Sequence, residues 1–335
     1  MIERIPTDNL EAYEVLKQAG YLFNLQGGNA TPQALELALK AIQVDPEYAE
    51  AYAFAGIFTL WQGIYSGQIE IQNAAWDAIP FFDKALELDL NSALAHLGKA
   101  FVNEWARWDY IEAEKGYRKA IELEPNNPLL YLFSDEFYVK MHQLDAFWIL
   151  MDKSPEKENS MLDMIMIHIL SGNSREAYNA IATIKNNKQA YRWLGESYLW
   201  LGEFDSAKYY LEYAMKNEHP EMSTPRFQAY LALAYEKTNN HQQTHRIICQ
   251  LKAKNDTSST GSPAYFLGWY YSAIHDLDSA FLWLEKAYEN RSPEFPWLKV
   301  DPAFNSLKVD DRYWDFYERT GYKVYDDFME SKNKY

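Results

Sequence analysis

Residues 191–214 read Tyr191-Arg-Trp-Leu-Gly195-Glu-Ser-Tyr198-Leu-Trp200-Leu-Gly-Glu-Phe-Asp-Ser-Ala207-Lys-Tyr-Tyr-Leu211-Glu-Tyr-Ala214, and the fold is decided by what this stretch shares with the rest of the chain. Its first half is apolar and helical in character but carries a glycine at its centre. Such a glycine costs a helix about 1 kcal/mol relative to alanine. A neighbouring helix pressed against the backbone at that point is a good reason to tolerate the cost. The second half sets Ala207, Leu211 and Ala214 four and three residues apart, which puts all three on one helical face.

Both halves recur. The glycine outline is repeated in Tyr52-Ala-Phe-Ala-Gly56-Ile-Phe-Thr, Ala95-His-Leu-Gly98-Lys-Ala-Phe and Ala264-Tyr-Phe-Leu-Gly268-Trp-Tyr-Tyr. The triplet outline is repeated in Ala34/Ala38/Ala41, Ala78/Phe82/Ala85, Ala113/Tyr117/Ala120, Ala177/Ile181/Ile184, Thr244/Ile248/Leu251 and Ala280/Leu284/Ala287. Several copies end on a proline (Pro46, Pro125, Pro220, Pro293), which cannot extend the helix it follows but can begin the next. With Leu150 as a degenerate copy, the third members of the triplets follow one another at intervals of 44, 35, 30, 34, 30, 37 and 36 residues. A fixed period of this length is the mark of a helical repeat array.

The pattern Trp/Tyr-x2-Leu-Gly-x2-Tyr, then Ala-x3-Phe/Leu-x2-Ala, then Pro, resembles the tetratricopeptide repeat (TPR), whose period is about 34 residues. The resemblance covers about eight repeats from Asn9 to Pro293 and implies an all-α solenoid wound as a right-handed superhelix. Residues 1–293 are expected to form the array and 294–335 a helical C-terminal cap on the same unit, built on Trp297, Phe304, Leu307, Tyr313, Trp314 and Phe316. The copy between Pro128 and Pro155 is poor, with Ser134 in the small-residue place. The second repeat carries an insertion from Gln62 to Asn73, and Pro80 falls inside or at the start of its second helix. The first helix is expected up to Leu22, capped by Thr7 or Asp8; Gly27-Gly28 reads as a turn, and residues 330–335 as frayed.

The two ends, together with Ala106-Arg-Trp-Asp-Tyr-Ile-Glu-Ala-Glu and Asp301-Pro-Ala-Phe-Asn-Ser-Leu-Lys-Val-Asp-Asp-Arg-Tyr, are similar to the C-terminal TPR half of bacterial signalling proteins. In those proteins a winged-helix or adenylate-cyclase-like output domain comes first. This resemblance implies a sensory or regulatory arm.

Composition narrows the function. The formal net charge is −16, with no basic cluster to offset it. Such a field repels phosphate backbones, so direct nucleic-acid binding is not expected. The start, Met1 to Asp8, lacks the layout of a signal peptide. The longest apolar stretch, Ala51 to Trp61, falls far short of the roughly 20 residues of a spanning helix. The chain reads as soluble and cytoplasmic, or periplasmic if it belongs to a membrane-anchored protein; oligomeric state is left open.

No phosphate loop, nucleophile elbow or catalytic Cys/His signature is present, so an enzyme is not expected, nor a cofactor. Paired acids such as Asp310-Asp311 suit helix caps. His241, His245 and Cys249 share one helix face at a zinc-compatible spacing, but no fourth ligand accompanies them and no metal is expected. The expected partner is a protein or peptide segment in the groove lined by the first helix of each repeat. On that face the register sets Trp61, Tyr131, Asp135, Tyr138, Arg192, Glu196, Trp200, Tyr265 and Trp269. Some TPR domains clamp a peptide carboxylate with a Lys/Asn set; here Ile57, Lys99, Asp135, Glu196 and Trp269 stand where the key Asn would be, so that clamp is not expected. Aromatics beside acids suit a basic or amphipathic peptide, or alternatively a small ligand such as a sugar.

Overall fold

In the computed structural model, which describes residues 7–26, 30–65, 69–217, 224–258 and 260–332, the alanine triplets lie where the second helix of each pair meets its neighbours. Ala34/Ala38/Ala41, Ala78/Phe82/Ala85, Ala113/Tyr117/Ala120, Ala207/Leu211/Ala214 and Ala280/Leu284/Ala287 are all buried. Small side chains at two of the three places let the helices approach closely, and the third, larger one fills what remains. That larger residue meets the glycine of the first helix. A Cβ on Gly195 would stand 2.5 Å from Leu211 Cγ, one on Gly268 2.8 Å from Leu284 Cγ, and one on Gly56 2.5 Å from the Phe82 ring. Ser134, in the poor copy, is buried as well.

Among the described residues the outcome is eight successive helix pairs: α1 (Leu10–Gln26) with α2 (Thr31–Val44), α3 (Ala49–Tyr65) with α4 (Ile71–Leu88), α5 (Ala93–Phe101) with α6 (Tyr110–Leu123), α7 (Pro128–Lys140) with α8 (Leu144–Lys153), α9 (Met161–Leu170) with α10 (Ser174–Ile184), α11 (Tyr191–Trp200) with α12 (Phe204–Lys216), α13 (Pro225–Lys237) with α14 (His241–Asn255) and α15 (Ser262–Ala273) with α16 (Leu277–Glu289). No strand occurs among the described residues. Five first helices end on a residue in the left-handed region: His142, Gly172, Gly202, Asn239 or His275, with φ from 57° to 76°. The N–H after each returns to the carbonyl five residues back at 2.8–2.9 Å. This satisfies a carbonyl the helix would otherwise leave open, and turns the chain sharply into the second helix.

By their contacts the residues fall into two compact units, 1–130 with 323–335, and 131–322. The array–cap boundary expected after residue 293 therefore lies within the second unit. In the first unit the cap of α1 is Asn9, whose Oδ1 accepts from Ala12 N at 3.2 Å. Thr7, expected in that role, instead donates to Asp45 at the end of α2. The second-repeat insertion lengthens α3 and α4, with Pro80 inside α4; residues 66–68, like Gly27-Gly28 and Pro220, lie outside the described residues. Helix α5 continues through a π-helical stretch, Val102–Arg107, that buries Glu104 against the Tyr117 hydroxyl.

In the second unit the chain beyond α16 forms 3-10 turns at Phe295–Trp297 and Pro302–Val309, then α17 (Asp311–Arg319) and the start of α18 (Tyr322–Lys332). Phe295 and Phe304 pack on Tyr265 with ring centroids 5.7 and 5.6 Å away, and Phe316 stacks on Phe281. Arg319 binds Glu285 through both terminal nitrogens at 2.9 Å. Of the residues expected to cover the last repeat, Phe304, Leu307, Tyr313 and Phe316 are buried. Trp297 and Trp314 are the exceptions: Trp297 is half-buried, and Trp314 is 50% exposed, with its Nε1 donating to the Lys308 carbonyl. Asp310 caps α17 by accepting from Arg312 N at 2.9 Å. Residues 330–332, expected as frayed, belong to α18.

Candidate partner-binding face

The first helices of the second unit bring charged side chains together in a way the triplets give no hint of. On α7, Glu136 and Lys140 stand one turn apart and pair at 2.9 Å. Lys140 is buried along its stem, and its ammonium lies 5.4 Å from the centre of the Trp297 ring. The Trp297 indole in turn hydrogen-bonds the Glu136 carboxylate. On α11, Glu196 is fully buried and accepts from Arg226 and, at 2.8 Å, from the Tyr230 hydroxyl, both on α13. On α15, Trp269 donates to Asp301 at 2.8 Å, and Ala303 N donates to the other oxygen of the same carboxylate at 2.9 Å. Trp200 and Trp297 meet edge to face at 6.2 Å.

Burial sets the protonation of these groups, because a desolvated carboxyl prefers its neutral form. Burial pushes Asp301 up to about 7, against the Ala303 and Trp269 hydrogen bonds that favour its charge. Burial also raises Asp135, and it raises Asp163 well above the usual range, with the charges of Asp135 and Glu136 adding to the effect. For Glu136 burial is the largest single effect and works upward too, but the Lys140 ammonium, the Arg226 charge and the Trp297 indole together outweigh it and hold the carboxyl below its ordinary value. Glu136 nevertheless keeps 39% of its side-chain surface open to water.

The nine residues expected to line a groove fare differently. Trp61 stands in the first unit, stacked on Phe23 at 4.5 Å and buried. Tyr131, Tyr138, Tyr265 and Trp269 are buried, and the turns after α16 are what cover Tyr265 and Trp269. Asp135 and Glu196 are buried beneath the charged cluster. Arg192 is buried along its length, its guanidinium 3.9 Å from the centre of the Trp193 ring. Trp200 alone of the nine keeps its ring partly exposed. Glu136, Lys140, Asp163, Arg226, Trp297 and Asp301 were not anticipated. Only the Glu136–Lys140 spacing, with the acid one turn ahead of the base, was legible as a helix pair.

His245 and Cys249 do approach each other on exposed α14, with Sγ 3.7 Å from Nε2. His241 turns instead to Glu236, with Nδ1 3.1 Å from its carboxylate. Among the described residues no three His, Cys, Asp or Glu side chains are grouped to hold a metal ion. No helix among them is long and apolar enough to cross a membrane.

Paired helices at the repeat period, three of the pairs closed on a glycine of the first helix, define a helical-hairpin repeat fold of the tetratricopeptide kind. No family model matches the chain, and no curated protein matches it. Solved structures are similar to it in fold. The pilus biogenesis factor PilW is 14% identical with a TM-score of 0.36, over 73% of this chain and 94% of its own. The Cut9–Hcn1 assembly is 17% identical with a TM-score of 0.47, over 96% and 68%. Human IFIT1, solved with m7Gppp-AAAA, is 14% identical with a TM-score of 0.46, over 91% and 71%. The fold assignment rests on this chain's own helix pairs.

Proposed function

We propose that the chain is a non-enzymatic interaction module that takes a protein or peptide segment on the first-helix face of its second unit. The observation that carries this reading is the partly open, desolvated cluster around Glu136, Asp163, Trp200 and Trp297. A fold that needs only to be stable gains little from desolvated charges, since desolvation offsets most of their attraction. Recognition benefits from them, because they select the partner's charge and register. Half-exposed indoles supply the apolar contact area that dominates interface energies. The similarity of the chain's ends to bacterial signalling proteins supports a sensory or regulatory role for such a module. The indole pair also suits a second reading, a small-ligand sensor.

Selection from a displayed random-peptide library against the full chain tests the main reading. Peptides with basic and apolar residues are expected, losing about tenfold or more in affinity when Trp200→Ala removes a central aromatic. The unfolding midpoint of that variant should stay close to the parent's. Trp269→Ala is the control: it strips Asp301 of a donor, empties a buried volume and should cost about 3–5 kcal/mol of stability. If no peptide is enriched, or Trp200→Ala binds as the parent does, the face is not the binding surface.

A further inference from the structure

Helix α14 brings together two side chains that suit a thiolate-seeking metal ion. Cys249, the chain's single cysteine, is exposed, and so is His245 one turn before it. Its Sγ lies 3.7 Å from Nε2 and 3.8 Å from Nδ1 of that histidine. Zinc holds a thiolate sulfur at about 2.3 Å and an imidazole nitrogen at about 2.0–2.1 Å. Two such ligands at a tetrahedral angle stand about 3.5 Å apart, and in line with the ion about 4.3 Å apart. The spacing on α14 is close to the tetrahedral one. His241, a turn further back, does not join the pair, because its Nδ1 is held 3.1 Å from the Glu236 carboxylate. No third His, Cys, Asp or Glu completes the set among the described residues. The helix therefore offers two of four ligands.

A second copy supplies the other two, since a twofold axis sets one patch against the same patch of its partner. Charge favours this face for the purpose. Copies of a chain with a formal charge of −16 repel one another. Yet α14, from His241 to Asn255, contains no Asp or Glu. Its lysines are engaged elsewhere: Lys252 lies 5.5 Å from the centre of the Tyr271 ring, and Lys254 donates to Gln228 at 2.9 Å. The hollow along the helix that His245 and Cys249 line is completed by Arg246 and by uncharged side chains such as Gln242, Gln250 and Ala253. We propose that two copies of this chain join through α14 around one zinc ion, held by His245 and Cys249 of each copy. Each thiol gives up its proton to solvent as its sulfur–zinc bond forms, so two thiolates balance the charge of the ion. The site does not depend on the first-helix face being a binding surface.

Sedimentation velocity of the full chain under reductant, titrated with zinc chloride, tests the site. Zinc is expected to double the sedimenting mass at one ion per two chains, and EDTA to reverse the change. Cobalt(II) in place of zinc should give the intense visible absorption of a tetrahedral site and a near-ultraviolet thiolate band. Cys249→Ser and His245→Ala should each lose the doubling and weaken zinc binding about a hundredfold or more, since even a partner outside the ligand set is worth about 10–100-fold. Both side chains are exposed, so each variant without metal should match the parent in circular dichroism and unfolding midpoint. His241→Ala should dimerise as the parent does. The site is refuted if zinc leaves the mass unchanged, if it binds one ion to each single chain, or if the doubled mass survives EDTA. It is refuted equally if Cys249→Ser or His245→Ala responds to zinc as the parent does, or if His241→Ala abolishes the response.

Discussion

Asp135 shows how one buried carboxyl couples the cluster to stability. Burial raises it above the 3.8 of a free aspartate, and the groups acting on it are Glu136, Asp163, Ser160 and the Glu136 N–H. A raised acid binds its proton more tightly in the native chain than in the unfolded one. Its contribution is therefore fully present below pH 3.8 and is lost as pH rises through the folded value. Asp301, pushed up to about 7, shares the sign and marks how far the window extends. Asp135→Asn removes the ionisation and keeps an oxygen to accept from Glu136 N. The variant should lose less of its unfolding midpoint than the parent between mildly acidic and mildly alkaline buffer, and be the more stable of the two at the alkaline end. Equal slopes would show that Asp135 titrates as an exposed aspartate does.

Helix contacts follow the same logic one level up, where Gly195 is the clearest case. Leu211 sits against it so closely that any Cβ would collide, and the surrounding core has no slack to absorb a larger side chain. Gly195→Leu should cost about 1–3 kcal/mol or more, read as a lower denaturant midpoint with the exposed face untouched. Midpoints that coincide would mean α11 and α12 do not pack through this position. That contact was legible because packing by small residues repeats, and repetition makes a weak pattern specific. The triplets at Ala34, Ala78, Ala113, Ala207 and Ala280 gave the helix pairs for the same reason. The open charged face was not legible. A register count tells which residues lie on one side of a helix, but not what comes to rest on that side. The turns after α16 cover Tyr265 and Trp269, so residues assigned to a groove became core. The cluster that stays open takes Glu136 and Trp297 from segments far apart in sequence, and no spacing rule joins them. Asn9 in place of Thr7 as the cap of α1 is a smaller miss of the same kind, since the Thr7 hydroxyl was claimed by a residue 38 positions away.

At the scale of the whole chain, the repeats do not account for how the sequence ends. A linear array is held by neighbour contacts alone, so each repeat depends on the next. Here residues 323–335 belong to the unit built from residues 1–130. Tyr325 is buried, its hydroxyl donates to Glu114 of α6 at 3.0 Å, and its ring meets Tyr110 edge to face at 6.3 Å. Glu114 is itself buried, and its remaining partner is the Arg118 guanidinium at 2.6 Å. Removing the tyrosine leaves a buried carboxylate short of a donor, and hydrogen bonds to charged groups are worth about 1.5–3 kcal/mol. It also uncovers the apolar surface of Tyr110. A chain ending at Tyr322 should therefore lose amide-exchange protection in α5 and α6 before any loss in α11 to α16, as local stability follows local contacts. Tyr325→Phe keeps the ring contact and removes only the hydroxyl, so it should show the same pattern at smaller amplitude. If truncation leaves α5 and α6 as protected as in the parent, the C-terminal helix adds nothing to the first unit. If protection falls evenly along all eight pairs, the chain behaves as one cooperative array and the division into two units has no energetic meaning.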